Sequence, residues 1–200
     1  MDGGIDAITY SLHAMVPEAA EQALAGWVAG TSGASLSPWG SHMTVIGRFP
    51  LMEDADALPA LMGAIEESCG ATEPFAIRLN KTAVRRHRYE SSRMIVMLEC
   101  DGRTDDFDRF VQYRAGLASR LASLIGPTDI RLLEEEYVPH VSLTTGIDER
   151  TARRVARSAE AAKVDIRFML SRIWLYRHEK TTTGQLGTTP VQAFRLGAKP

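Results

Sequence analysis

Two short strings in this 200-residue chain have the residue types for acid-base chemistry: His42-Met43-Thr44-Val45 and His140-Val141-Ser142-Leu143. Both read His, apolar, hydroxyl, apolar. In an extended strand alternate side chains share a face, so each string presents an imidazole and a hydroxyl on one side and an apolar pair on the other. A composition like this one yields about 0.13 such quartets by accident, so finding two is roughly a one-in-a-hundred event. A single quartet would be read as a structural histidine; the pair is read as a site. An imidazole has an unperturbed pKa of ~6.5, so near neutral pH one copy can be a base while the other is an acid. Each positioned acid or base is worth ~10²- to 10⁴-fold, and a concerted pair about 5 to 11 kcal/mol. His42 and His140 are thus the candidate catalytic residues, and Thr44 and Ser142 the hydroxyls that hydrogen-bond non-bridging phosphoryl oxygens. No metal is required. Near-symmetric placement implies equivalent surroundings, which leaves open which histidine is the base.

Further residues are candidates for contact with a substrate. Arg85, Arg86, His87, Arg88 and Tyr89 form the one basic cluster with an aromatic, fit either to clamp a phosphate or nucleobase or to be a solvated hairpin tip. Trp174 and Tyr176 share a strand face and are read either as a base-stacking pair or as core. Arg48, Arg177 and Lys180 are placed to neutralise phosphate charge. His13, His87 and His178 lack the hydroxyl-apolar frame and are read as surface or structural residues. Glu134, Glu135 and Glu136 read as a solvated acidic run.

The elements that must hold these residues follow from pattern. Residues 5–16 read as a strand, 17–29 as a helix opened by Pro17, and 30–41, rich in Gly, Ser and Pro, as a loop. Strand 42–49, helix 53–68 and strands 75–84 and 93–100 come next. The clearest helix is 104–124, ended by Gly126-Pro127, after which strand 140–145, helix 148–162 and strands 165–177 and 191–196 complete the chain. Met94 lies 52 positions after His42 and Val191 lies 51 after His140, which suggests a repeat. The expected fold is α+β: two pseudo-symmetric lobes of antiparallel sheet around a central cleft, with helices on the outer faces.

The string His42-Met43-Thr44-Val45-Ile46-Gly47 and the string Pro139-His140-Val141-Ser142-Leu143 resemble the two His-x-Thr motifs of the two-histidine (2H) phosphoesterases, a family that includes bacterial 2′-5′ RNA ligases and cyclic nucleotide phosphodiesterases. The second hydroxyl is Ser rather than the commoner Thr, which keeps the donor. The resemblance spans residues 5–196 and implies one domain over 1–200 made of two interleaved lobes, with motif halves 5–100 and 101–196. It implies a metal-independent phosphodiesterase without cofactor, acting on a 2′,3′-cyclic phosphate, a 2′-5′-linked or a cyclic nucleotide, and reversible as an RNA ligase. The segments 85–92 and 178–189 are longer than compact members require, which points to a cleft of different specificity. The alternative is a non-catalytic nucleotide- or RNA-binding module that retains the cleft.

Composition sets outer bounds. A net charge of −2 and a pI near 6.2 provide no long-range attraction to a nucleic-acid backbone, so the expected partner is a nucleotide or short RNA. Cys69 and Cys100 have no metal spacing and are read as buried thiols of a reducing compartment. No leader and no membrane-length apolar run is apparent, so a cytoplasmic monomer is expected. The strings His-x-His, HExxH and GxxxxGK[ST] are absent, which disfavours a histidine metal site and P-loop chemistry.

Overall fold

The computed structural model describes residues 8–37, 40–52, 56–87, 90–102, 104–125, 137–180 and 186–198. Its elements, in chain order, are β1 (Thr9–Met15), α1 (Glu18–Ala29), β2 (His42–Phe49), α2 (Ala57–Gly70), β3 (Phe75–Arg86), β4 (Met94–Cys100), α3 (Asp105–Leu121), β5 (His140–Ile147), α4 (Glu149–Ala161), β6 (Ile166–Leu170), β7 (Arg172–Lys180) and β8 (Leu186–Arg195). Local chemistry explains the clearest boundaries. Thr104 caps α3 by accepting from the Phe107 amide, and three aspartates in the first turn favour that helix end. Asp148 caps α4 through the Thr151 amide at 2.9 Å.

All eight strands join one curled antiparallel sheet in the order β6-β3-β4-β5-β2-β1-β7-β8. The chain weaves between two four-strand halves, placing β1 and β2 in one, β3 to β6 in the other, and β7 and β8 back in the first. The halves meet where β2 pairs with β5 at Met43 and Val141. One face of the sheet is apolar: Leu12, Ala14, Met43, Val45, Leu98, Val141, Leu143 and Leu175 are fully buried there. The helices cover this core, with α4 on β3 and β4, α3 on β2 and β3, α2 on β8 and α1 on β6. Strand periodicity sends the intervening side chains to the opposite face, which carries the polar residues.

Several expectations are corrected. Residues 165–177 are not one strand. Ile166, Phe168 and Leu170 are buried in β6, whereas Ile173 and Leu175 are buried in β7, so the inward phase slips by one residue at the exposed Ser171-Arg172. A strand cannot keep one face inward across such a slip. The chain therefore breaks, with β6 pairing β3 at one edge and β7 pairing β1 in the other half. The spacing of 52 and 51 also falls on inequivalent strands, since β4 adjoins β5 while β8 is an outer edge. The repeat in the fold is instead a strand-helix-strand unit, β1-α1-β2 and β4-α3-β5. Strand β3 runs on past residue 84, which places Arg85 and Arg86 in it, and β8 begins five residues before 191 and ends at Arg195. The expected helix stop at Gly126-Pro127 and the acidic run 134–136 lie outside the described residues.

Candidate active site

Carried one residue either way, the Met43–Val141 register sets His42 across from Ser142 and Thr44 across from His140. The two imidazoles are thus diagonal neighbours on one face, a relation that spaces side chains by about 7 to 8 Å. Both rings are held the same way. His42 Nδ1 donates to the Gly40 carbonyl at 3.0 Å, and His140 Nδ1 donates to the Val138 carbonyl at 2.8 Å. A carbonyl only accepts, so each Nδ1 carries hydrogen, and in the neutral ring Nε2 is the basic nitrogen. Gly40 has φ +98°, and a Cβ there would stand 3.0 Å from Met15 Cε, so glycine is what allows this turn before His42. Val138 precedes Pro139, whose ring disfavours a helical backbone at the residue before it. Burial is the main influence on both imidazoles and pushes their pKa values down; each carbonyl works against it, and the charge of His140 lowers His42 further.

The surroundings of the two histidines are not equivalent, contrary to the expectation from sequence. On β1, Met15 lies opposite His42 and His13 opposite Thr44. On β4, Glu99 lies opposite His140 and Met97 opposite Ser142. The charged neighbour therefore serves the histidine in one motif and the polar one serves the hydroxyl in the other. Glu99 is buried, at 1% exposure, and Arg85 reaches its Oε1 with Nε and Nη2, both at 2.8 Å. The Glu99 carboxylate raises the His140 pKa against burial, and Arg85 opposes it.

Two histidines read from sequence as surface or structural residues also lie on this face. His13 is 6% exposed and meets the His42 ring edge-on at a centroid distance of 4.8 Å, and His178 is 3% exposed. Burial first, then the charges of His42, His178 and Arg48, holds His13 well below the imidazole range; burial and Arg48 bring His178 down to about 4. A signal was present. Ser11-Leu12-His13-Ala14 is the motif quartet with hydroxyl and histidine exchanged, the order required of a strand running antiparallel to β2.

The remaining candidates divide by face. Trp174 and Tyr176 lie opposite His13 and Ser11 on the histidine-bearing face, 6.4 Å apart by ring centroids, with Tyr176 edge-on to His13 at 5.7 Å. Arg48 is exposed beside His13 and His178. Arg177 alternates with Tyr176 and so points to the other face, where it pairs with Glu179 at 2.8 Å. Arg88 and Tyr89 lie outside the described residues. Cys69 and Cys100 are buried free thiols. Among the described residues, His, Cys, Asp and Glu side chains nowhere gather in a set of three fit for a metal ion, and no helix is long and apolar enough to cross a membrane.

The chain is similar in fold to TT0787 of Thermus thermophilus (TM-score 0.65, 17% identity, covering 96% of this chain and 100% of that one). It is also similar to E. coli LigT complexed with NADP+ (TM-score 0.59, 14% identity, 96% and 99% covered) and to Kluyveromyces marxianus Usb1 with uridine monophosphate (TM-score 0.50, 12% identity, 93% and 99% covered). No curated protein matches by sequence. The family profile described as the 2′-5′ RNA ligase superfamily matches residues 16–182, which include both histidine quartets, and the chain belongs to that superfamily of two-histidine phosphoesterases.

Proposed function

We propose that this protein is a metal-independent phosphodiesterase for a 2′,3′-cyclic phosphate, a 2′-5′-linked or a cyclic nucleotide, with His42 as general base and His140 as general acid. The observation that supports it is the pair of imidazoles on one face of adjoining strands, each held at Nδ1 by a backbone carbonyl and each two residues from a hydroxyl on the same face. His42 takes a proton from water as its oxygen bonds to phosphorus, and His140 gives a proton to the departing ester oxygen as that bond breaks. Thr44 and Ser142 donate to the non-bridging oxygens, where charge sits in the transition state. With a sugar hydroxyl of a second strand in place of water, the same pair joins the two instead of hydrolysing: His42 takes the proton of that hydroxyl as its oxygen bonds to phosphorus, and His140 protonates the departing ester oxygen. Nucleotides in the neighbours support a nucleotide substrate: LigT with NADP+, 3′-AMP or ATP, and Usb1 with uridine monophosphate. The buried free thiols fit a reducing compartment such as the cytoplasm.

Roles are assigned from surroundings. A carboxylate beside His140 favours its charged form, whereas His42 faces Met15 and the neighbouring His13, neither of which supplies negative charge. Glu99→Gln removes the charge that raises the His140 pKa and leaves Arg85 to lower it. The alkaline limb of kcat/KM against pH is therefore expected to move to lower pH, with kcat/KM at neutral pH falling about tenfold. Movement of the acid limb instead would exchange the two roles. The function itself is tested by incubating the protein with 2′,3′-cyclic nucleotides, 2′-5′ oligoadenylates and cyclic dinucleotides, with and without chelator. Turnover of at least one, unchanged by chelator, is expected; binding without turnover of any would mean a nucleotide-binding module.

A further inference from the structure

Behind the first motif runs a buried chain of hydrogen bonds that the proton transfers above do not use. Ser11 Oγ stands 2.6 Å from His13 Nε2 and 2.6 Å from His178 Nε2. The other ring nitrogens end on hydroxyls, His13 Nδ1 at 3.4 Å from Thr44 Oγ1 and His178 Nδ1 at 3.0 Å from Thr188 Oγ1. Four adjoining strands contribute, and Ser11, His13 and His178 are all buried.

A hydroxyl has one proton, so Ser11 donates to one imidazole and accepts from the other. A neutral imidazole carries one N–H, so the choice made at Ser11 passes through both rings to the chain ends. In one direction Thr44 donates to His13 and its proton is directed away from the cleft. In the other, His13 Nδ1 donates to Thr44 Oγ1, and the threonine proton is turned outward. Only the second direction leaves Thr44 able to donate to a phosphoryl oxygen.

We infer that His178, Ser11 and His13 are positioning residues whose hydrogen bonds run one way, from Thr188 to Thr44, and aim the Thr44 hydroxyl proton at the substrate phosphate. This rests on the phosphate-binding role proposed for Thr44. The direction needs both rings neutral, because a doubly protonated ring donates at both nitrogens; burial and Arg48 hold them so. The 3.4 Å contact between His13 Nδ1 and Thr44 Oγ1 is long for a hydrogen bond, and aiming the threonine proton requires it to tighten in the substrate complex. Ser142 has Met97 opposite it in place of an imidazole, so the two motif hydroxyls are unequal.

The test has two parts, one independent of turnover. Long-range ¹⁵N–¹H correlation spectra of the histidine-labelled full chain report which ring nitrogen carries hydrogen. His13 is expected to be protonated at Nδ1 and His178 at Nε2; the opposite pair would overturn the inference. In kinetics with the best substrate of the panel, His13→Asn, whose amide N–H overlays Nδ1, is expected to keep kcat within about threefold. His13→Gln, whose amide overlays Nε2, is expected to lose about tenfold in kcat with KM little changed, and to lose nothing further in a Thr44→Val background. Equal losses for Asn and Gln, or an additive loss in that background, would also overturn it. Circular dichroism confirms folding, and if His13→Gln does not fold, Ser11→Ala is expected to show the same kcat loss. Predicted tautomers without turnover of any phosphodiester would defeat the proposed function but not the direction of the chain, and reversed tautomers with full turnover would do the converse.

Discussion

Replacing either His42 or His140 by alanine is expected to lower kcat by ~10²- to 10⁴-fold on the best substrate while nucleotide binding persists. Each ring supplies one proton transfer from Nε2, and neither change removes the hydroxyls that hold the phosphate. The double variant should be little slower than the worse single one, because acid and base act in the same step. The two single variants part company when the leaving group is varied. A p-nitrophenyl phosphodiester expels an oxygen that needs no proton, so His140→Ala should recover most of its rate on that substrate, whereas His42→Ala should stay slow. Near-native kcat for either variant on the best natural-type substrate would end the paired mechanism. Recovery by His42→Ala alone would keep the pair and reverse the roles.

The strand positions of both motifs could be read from the chain because their period is local: two apolar residues alternate with two polar ones, and the strand faces follow. The antiparallel sheet with helical cover was legible for the same reason. What escaped depended on partners distant in sequence. The unlike surroundings of His42 and His140 arise from Met15 and Glu99, which meet them only through the pairing of β1 with β2 and of β4 with β5. His13 lacks the hydroxyl-apolar frame because β1 runs antiparallel to β2, so that Ser11 precedes it, and His178 reaches Ser11 only through the pairing of β7 with β1. The division of β6 from β7 was visible in principle, since the apolar phase passes from 166, 168 and 170 to 173 and 175. A continuous run of strand-forming residues concealed it. Arg177 is read beside a phosphate because it follows the strand expected to flank the second histidine; that strand pairs with β1 instead, and Arg177 alternates with Tyr176 onto the opposite face.

Truncating Arg114 is the change expected to cost the most stability among the site's supports. This arginine of α3 is 6% exposed, its Nε donates to the Val45 carbonyl at 3.0 Å, and its guanidinium carbon sits 4.2 Å from the centroid of the Tyr137 ring. Tyr137 in turn donates its hydroxyl to the Thr44 carbonyl, stacks on Phe110 at 6.0 Å, and has its ring 6.0 Å from that of His140. One buried cation thereby ties the backbone of the first motif to the approach to the second. A desolvated cation-π contact is worth about 2 kcal/mol and a charged hydrogen bond about 1.5 to 3 kcal/mol, so Arg114→Ala should destabilise by about 3 to 5 kcal/mol in urea denaturation. Arg114→Met fills most of the volume without burying a charge, so it should destabilise less and remain folded. It still leaves the Val45 carbonyl and the Tyr137 ring without their guanidinium. If that link sets the separation of the two imidazoles, the folded Met variant should lose about tenfold in kcat, since small misplacements in a two-residue mechanism are costly. Tyr137→Phe removes only the hydroxyl bond and should cost about 1 kcal/mol. An Arg114→Ala variant within about 1 kcal/mol of the parent, or a Met variant with unchanged kcat, would mean that the two motifs keep their spacing through the β2–β5 pairing alone.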